Sequence, residues 1–147
     1  MQGHIIELDC QRRLRERLGQ AKWAYTTRRV PREAASVLLP GGAAPRVGDL
    51  VLAKVVRLGQ HKHLELANGR KARLFAGDEI VVVFGNRYAP DQFEAVIPNA
   101  LGPCHLVAAG GVVAGMTFKN AAVKAPTAIE TLGLLADTDG RPVNLAD

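Results

Sequence analysis

Three short stretches hold the residue types from which a reactive or binding site could be built. His61-Lys62-His63-Leu64-Glu65 sets His61, His63 and Glu65 at alternate positions. A strand would present these three on one face, with Leu64 and Leu66 on the other. Two imidazoles and a carboxylate form a ligand set used by zinc and non-haem iron sites. No distant fourth ligand accompanies them and a solvated strand face explains the pattern as well, so no metal is expected. Residues 85–94 gather Asn86, Arg87, Tyr88, Asp91, Gln92 and Glu94 around a turn-forming Ala89-Pro90. Polar loops on a rigid body commonly carry binding and acid–base groups. Asn86, Arg87, Tyr88, Asp91 and Glu94, with His105, are therefore candidates for holding an anionic small molecule. The competing reading is structural, with Asn86 capping a turn, Arg87 locked to Asp91 or Glu94, and Tyr88 packed as a lid.

Cys104 and His105 are adjacent, and a strand sends adjacent side chains to opposite faces, which makes a poor nucleophile–base pair. A buried, structural Cys104 is expected. Residues 110–115, Gly-Gly-Val-Val-Ala-Gly, match neither a dinucleotide fingerprint nor a phosphate loop. No cofactor is expected.

Charge gives a second kind of site. Residues 1–73 carry a net charge of +9 and residues 74–147 a net of −4. A cationic half attracts phosphate-rich or acidic partners. The candidate polyanion contacts are Arg12, Arg13, Arg15, Arg17, Arg28, Arg29, Lys54, Arg57, Lys62, Arg70, Lys71 and Arg73. Pairing between the two halves, within one chain or in a homo-oligomer, is the plainer use of the same asymmetry.

These residues need a body to position them. The 147 residues fit one domain, and 48% hydrophobic with 22% charged residues is a globular composition. No run reaches the roughly 18 apolar residues of a membrane helix. The N-terminus lacks a basic n-region ahead of an apolar core, so no secretory signal is read there. Two isolated cysteines suit a reduced, cytoplasmic protein.

Asp9 as N-cap, the spacing of Cys10, Leu14 and Leu18, and Gly19 as a stop predict a short helix. Residues 23–30, rich in aromatic and β-branched types, predict a strand, and residues 39–45 a loop. That makes residues 1–45 a basic helix–strand appendage ending in a Pro/Gly linker, and residues 46–147 the body. Within the body, Gly48-Asp49 and Gly77-Asp78, 29 residues apart, each precede a Val/Ile/Leu run. Gly-Asp supplies a turn and the apolar run a strand. Asn68-Gly69, between two strand candidates, predicts a hairpin with a type I′ turn. Further strands are expected at 92–97, 105–109, 112–118 and 129–136. Short strands with turns every 8–12 residues indicate an all-β protein, here a small closed or partly open β-barrel.

The opening strand, Val-Gly-Asp-Leu-Val-Leu-Ala-Lys-Val-Val at 47–56, is similar to the first strand of OB-type RNA-binding barrels. The resemblance implies a small barrel that stacks bases on aromatic side chains. No aromatic lies among Lys54, Arg57, Lys62, Arg70, Lys71 and Arg73. The expected function is a non-catalytic binding module, a basic barrel contacting nucleic acid or an acidic protein surface. The alternative is a small enzyme or enzyme subunit that holds an anionic small molecule through the 86–94 loop.

Overall fold

Two strands are apolar at nearly every position, and their burial explains why. In the computed structural model, which describes residues 2–41, 44–89, 93–119, 121–122 and 124–147, the first half of β3 (Leu50–Arg57) and most of β6 (Glu79–Phe84) are covered on both faces. Val51, Ala53, Ile80, Val82 and Phe84 face the inside of a barrel. Leu50, Leu52, Val81 and Val83 face outward into a second apolar layer. A strand buried on both sides loses the polar alternation of a half-exposed one.

The barrel closes through five strands: β3, β6, β10 (Val112–Lys119), β9 (Pro103–Ala108) and β11 (Thr127–Ala136). β6 and β10 run parallel; the other four pairings are antiparallel. The expected mainly-β barrel is the observed fold, with one helix near the N-terminus. No helix among the described residues is long and apolar enough to cross a membrane.

The outer layer over β3 and β6 comes from residues before position 46. Helix α1 (Gln2–Gln20) lays Leu14 and Leu18 against it. The helix starts well before Asp9, which sits in its interior instead of capping it; residues 2–8 contain no proline to stop it. Strand β1 (Lys22–Trp23) pairs parallel to β6, and β2 (Val37–Leu39) pairs with β11. The strand expected over 23–30 stops at Trp23, because the chain coils into a 3-10 turn at Tyr25–Thr27. Thr27 Oγ1 donates to the Ala24 carbonyl at 2.7 Å, the local bonding by which threonines leave a strand. The predicted loop at 39–45 likewise begins one residue late, since Leu39 ends β2.

The Gly-Asp repeat folds twice into the same turn. At 46–49 and at 75–78 the Asp N–H donates to the carbonyl three residues back, and the Asp carboxylate accepts the N–H of that same residue. Gly48 and Gly77 take φ of 93° and 96°, the position in a type II turn that favours glycine. Asn68-Gly69 does form a hairpin tip, joining β4 (His63–Glu65) to β5 (Lys71–Arg73). The turn type differs from the expectation. Only Gly69 has positive φ, Gly69 N–H bonds Leu66 O, and Leu66 N–H bonds Arg70 O. That is a three-residue loop with a glycine bulge, whereas type I′ would need positive φ at Asn68 too.

Within 86–94, residues 87–89 and 93–94 are strand and not loop, and Pro90, Asp91 and Gln92 lie outside the described residues. β7 (Arg87–Ala89) pairs antiparallel with β8 (Phe93–Val96), which continues onto the far half of β10. Asn86 Oδ1 accepts the Ile97 N–H at 2.9 Å and closes the base of this hairpin.

Candidate functional site

The β4–β5 hairpin plugs one end of the barrel. Leu64, on its inner side, and Leu74, just past β5, are fully buried in the barrel core. Alternation then sends Lys71, Arg73 and Phe75 outward, and all three are exposed. Across the hairpin His63 lies beside Arg73 and Glu65 beside Lys71. Lys62 and Arg70 are exposed at either end. The outer side thus displays Lys71 and Arg73 with His63 and one carboxylate, Glu65, while Lys62 and Arg70 add charge at the hairpin's two ends. Gln60, His61, Lys62, His63, Glu65, Lys71 and Ala109 line a cavity of about 210 Å³ beside it.

His63 and Glu65 share that outer face opposite Leu64, as the spacing predicts, but His61 precedes the strand. Among the described residues no group of three or more His, Cys, Asp or Glu is arranged to hold a metal ion. His61 is instead half-buried, near Val107 and Arg87. Burial lowers its pKa below the usual value, the Arg87 charge lowers it further, and a hydrogen bond to the Val107 backbone opposes both.

Arg87 and Ala95 are paired across β7–β8, and Ala95 packs on Val107 and Ala114, on the barrel's outer wall. Tyr88 pairs with Glu94 on the opposite face of the hairpin and is 77% exposed. The pocket expected from 86–94 is therefore split: Arg87 faces the barrel, Tyr88 and Glu94 face away, and Asn86 closes the hairpin's base. Asp91 lies outside the described residues. His105 sits elsewhere on the wall, where Met116 N–H donates to its Nδ1 at 3.2 Å, so the ring is neutral with its proton on Nε2. Burial lowers its pKa, and the charge of Arg57 adds to the effect. A bulge at Val56 sets Arg57 opposite Ala128, which pairs with His105 on its other side. Cys104 points the other way, into the barrel, and burial pushes its thiol up to about 11. A buried thiol kept in its protonated form is a poor nucleophile.

The remaining cations divide by neighbour. Arg17 makes a two-pronged contact with Glu79, at 2.8 and 2.5 Å, and so ties α1 to β6. Each partner holds the other in its charged form, raising Arg17 and lowering Glu79. Lys54 lies between Glu79 and Glu130 in the register of the sheet. Arg28 stacks on Tyr25, its guanidinium carbon 4.0 Å from the ring centre. Arg12, Arg13, Arg15 and Arg29 are exposed on α1 and the turn that follows β1. The twelve cationic candidates are distributed over α1, the turn after β1, β3 and the β4–β5 hairpin, where four exposed cations accompany one carboxylate, Glu65.

Sequence reasoning misses Phe75 and Lys22. Lys22 Nζ donates to Asp78 Oδ2 at 2.5 Å and to the Arg73 carbonyl at 2.9 Å, and lies 5.5 Å from the Phe75 ring centre. The alternation of residues 71–75 is the available signal for Phe75. Nothing local in the sequence points from Lys22 to Asp78, because the parallel pairing of β1 with β6 creates that neighbourhood. No protein-family model matches this chain, and neither a curated protein nor a solved structure matches it.

Proposed function

We propose that this protein is a non-catalytic binding module whose β4–β5 hairpin holds a polyanionic ligand. The observation that supports it is the hairpin's two-sidedness. One side is fixed in the barrel by Leu64 and Leu74, while the other carries Lys71 and Arg73 beside the single carboxylate Glu65, with exposed Lys62 and Arg70 at the hairpin's ends. Cations on a rigid, short-looped hairpin lose little freedom when a ligand binds, which favours affinity. The arginines of α1 support the reading less, since Arg17 is committed to Glu79. A small-molecule site at 86–94 has weaker support still, because Arg87 and Glu94 lie on opposite faces of their hairpin. The two free cysteines suit a reducing compartment such as the cytoplasm.

Heparin affinity measured across salt concentrations tests the proposal. Binding should weaken steeply with salt as counterions are released. Replacing Lys62, Arg70, Lys71 and Arg73 by Ala should flatten that slope and abolish binding at moderate salt. Replacing Arg12, Arg13 and Arg15 should leave most of it. Equal losses from the two sets would move the site off the hairpin.

A further inference from the structure

Phe75 is the feature that a purely electrostatic surface does not need. It is 57% exposed, although the neighbouring Leu74 is fully buried. The Phe75 backbone is fixed by a hydrogen bond, and one face of the ring is met by a lysine. Its own N–H donates to Asp78 Oδ2 at 2.9 Å, and Lys22 Nζ, fixed by Asp78 and the Arg73 carbonyl, stands over the ring. Along the outer face the order is Lys71, Arg73, Phe75, with alternate residues of an extended chain about 7 Å apart. Two cations and an aromatic ring follow one another in a line, at a spacing comparable to successive units of an extended nucleotide chain. Tyr88, also an exposed aromatic, has Glu94 as its cross-strand neighbour, which repels phosphate.

We infer that the polyanion is a single-stranded nucleic acid, with Lys71 and Arg73 on its phosphates and a base stacked on Phe75. The inference rests on the polyanion reading of the hairpin. A duplex keeps its base faces stacked on one another, so only an unpaired strand gains from an exposed ring. Base–aromatic stacking tolerates any base, which fits a surface with few side-chain amides to read an edge.

The test compares a short oligothymidylate with two polyanions that lack bases, heparin and polyglutamate, for wild type, Phe75→Ala and Phe75→Trp. Phe75→Ala should weaken oligothymidylate binding about tenfold and leave heparin binding unchanged, which also shows that the variant is folded. Phe75→Trp should retain or improve oligothymidylate binding. The inference is overturned if Phe75→Ala costs heparin as much as oligothymidylate, if it costs neither, or if polyglutamate competes as well as the oligonucleotide. Wild type that binds heparin but not oligothymidylate overturns the inference alone. Wild type that binds none of the three at low salt overturns the polyanion reading with it.

Discussion

The turns at 46–49 and 75–78 share a sequence pattern, a backbone shape and a side-chain hydrogen bond, yet they sit in opposite surroundings. Asp49 is 1% exposed and accepts Asn144 Nδ2 at 2.9 Å, while Asn144 also reaches the Val47 carbonyl. Leu145 N–H bonds the Gly48 carbonyl, so the end of the chain closes over this turn. Asp78 has no such cover. Its carboxylate meets Lys22 in a partly exposed ion pair and frames Phe75. One local motif thus serves as a buried clasp at the start of β3 and as an open frame at the start of β6. What a turn does depends on what the rest of the chain lays against it.

The largest effects should come from attacking the clasp. A Cβ on residue 48 would lie 2.7 Å from Asn144 Oδ1, whereas one on residue 77 would meet nothing within 4 Å. Both positions impose the same left-handed strain, about 1 kcal/mol or slightly more. Gly77→Ala should cost that alone, and Gly48→Ala should cost at least twice as much because Asn144 must move. Asp49→Ala should cost about 3 kcal/mol, since the Arg46 N–H and the Asn144 amide lose a buried charged acceptor. Urea denaturation measures all three. Equal losses for the two glycine variants would mean that Asn144 adds nothing to the first turn.

The two turns are legible in the sequence because they are local: glycine supplies the φ, aspartate the acceptor, and the β-branched run the strand. The same locality makes the Asn68-Gly69 tip readable, and strand alternation by itself puts Cys104 and His105 on opposite faces. Longer-range features are not legible. Thr26 and Thr27 look like strand residues, and only the bonds of Thr27 to Ala24 and of Thr26 to Gly111 show why they are not. Arg17 reads as one of four equivalent arginines, but Glu79, 62 residues away, sets it apart. Arg87 and Glu94 look like partners from their spacing, and the one-residue offset in their register separates them. The candidate site is half visible: its cations can be named individually, while the aromatic ring and the lysine beside it depend on β1 docking against β6.

A middle-sized effect should separate the clasp from the frame by function. Asp78→Asn keeps an oxygen for the Phe75 N–H but removes the charge that Lys22 pairs with. Such a partly exposed pair contributes roughly 1 kcal/mol or less, so the stability loss should be small. Heparin binding at low salt should tighten, because Lys22 no longer faces a carboxylate next to the cationic hairpin. Asp49→Asn should show the reverse profile, a clear loss of stability with heparin affinity unchanged in the folded protein. If Asp78→Asn weakens binding instead, the frame matters through geometry and not through charge.

The smallest effect is the pH dependence of that same ion pair, and its sign is fixed by linkage. Burial, joined by the charges of Arg87 and Arg57, holds His61 and His105 below their ordinary pKa of 6.5. The unfolded chain therefore takes up protons first, and stability declines as pH falls below about 6.5. This decline should be the same in wild type and in Asp78→Asn. A second decline begins in the carboxylate range. Burial pushes the Asp78 carboxyl up, but the hydrogen bonds from Lys22 and the Phe75 N–H, with the Lys22 charge, outweigh it and leave the pKa below its ordinary 3.8. Glu79 is lowered as well, by its hydrogen bond from Arg17 and then by charge, against burial. Such groups stabilise the fold fully above their unfolded values and stop doing so as pH falls through their folded values. The amide introduced by Asp78→Asn takes up no proton, so the small stability gap between wild type and this variant should persist through the histidine range and close only in strong acid. Melting temperatures of the two proteins across pH measure the gap directly. A gap that stays constant to the lowest pH would mean that the Asp78 charge contributes nothing and that the frame is held by the turn alone.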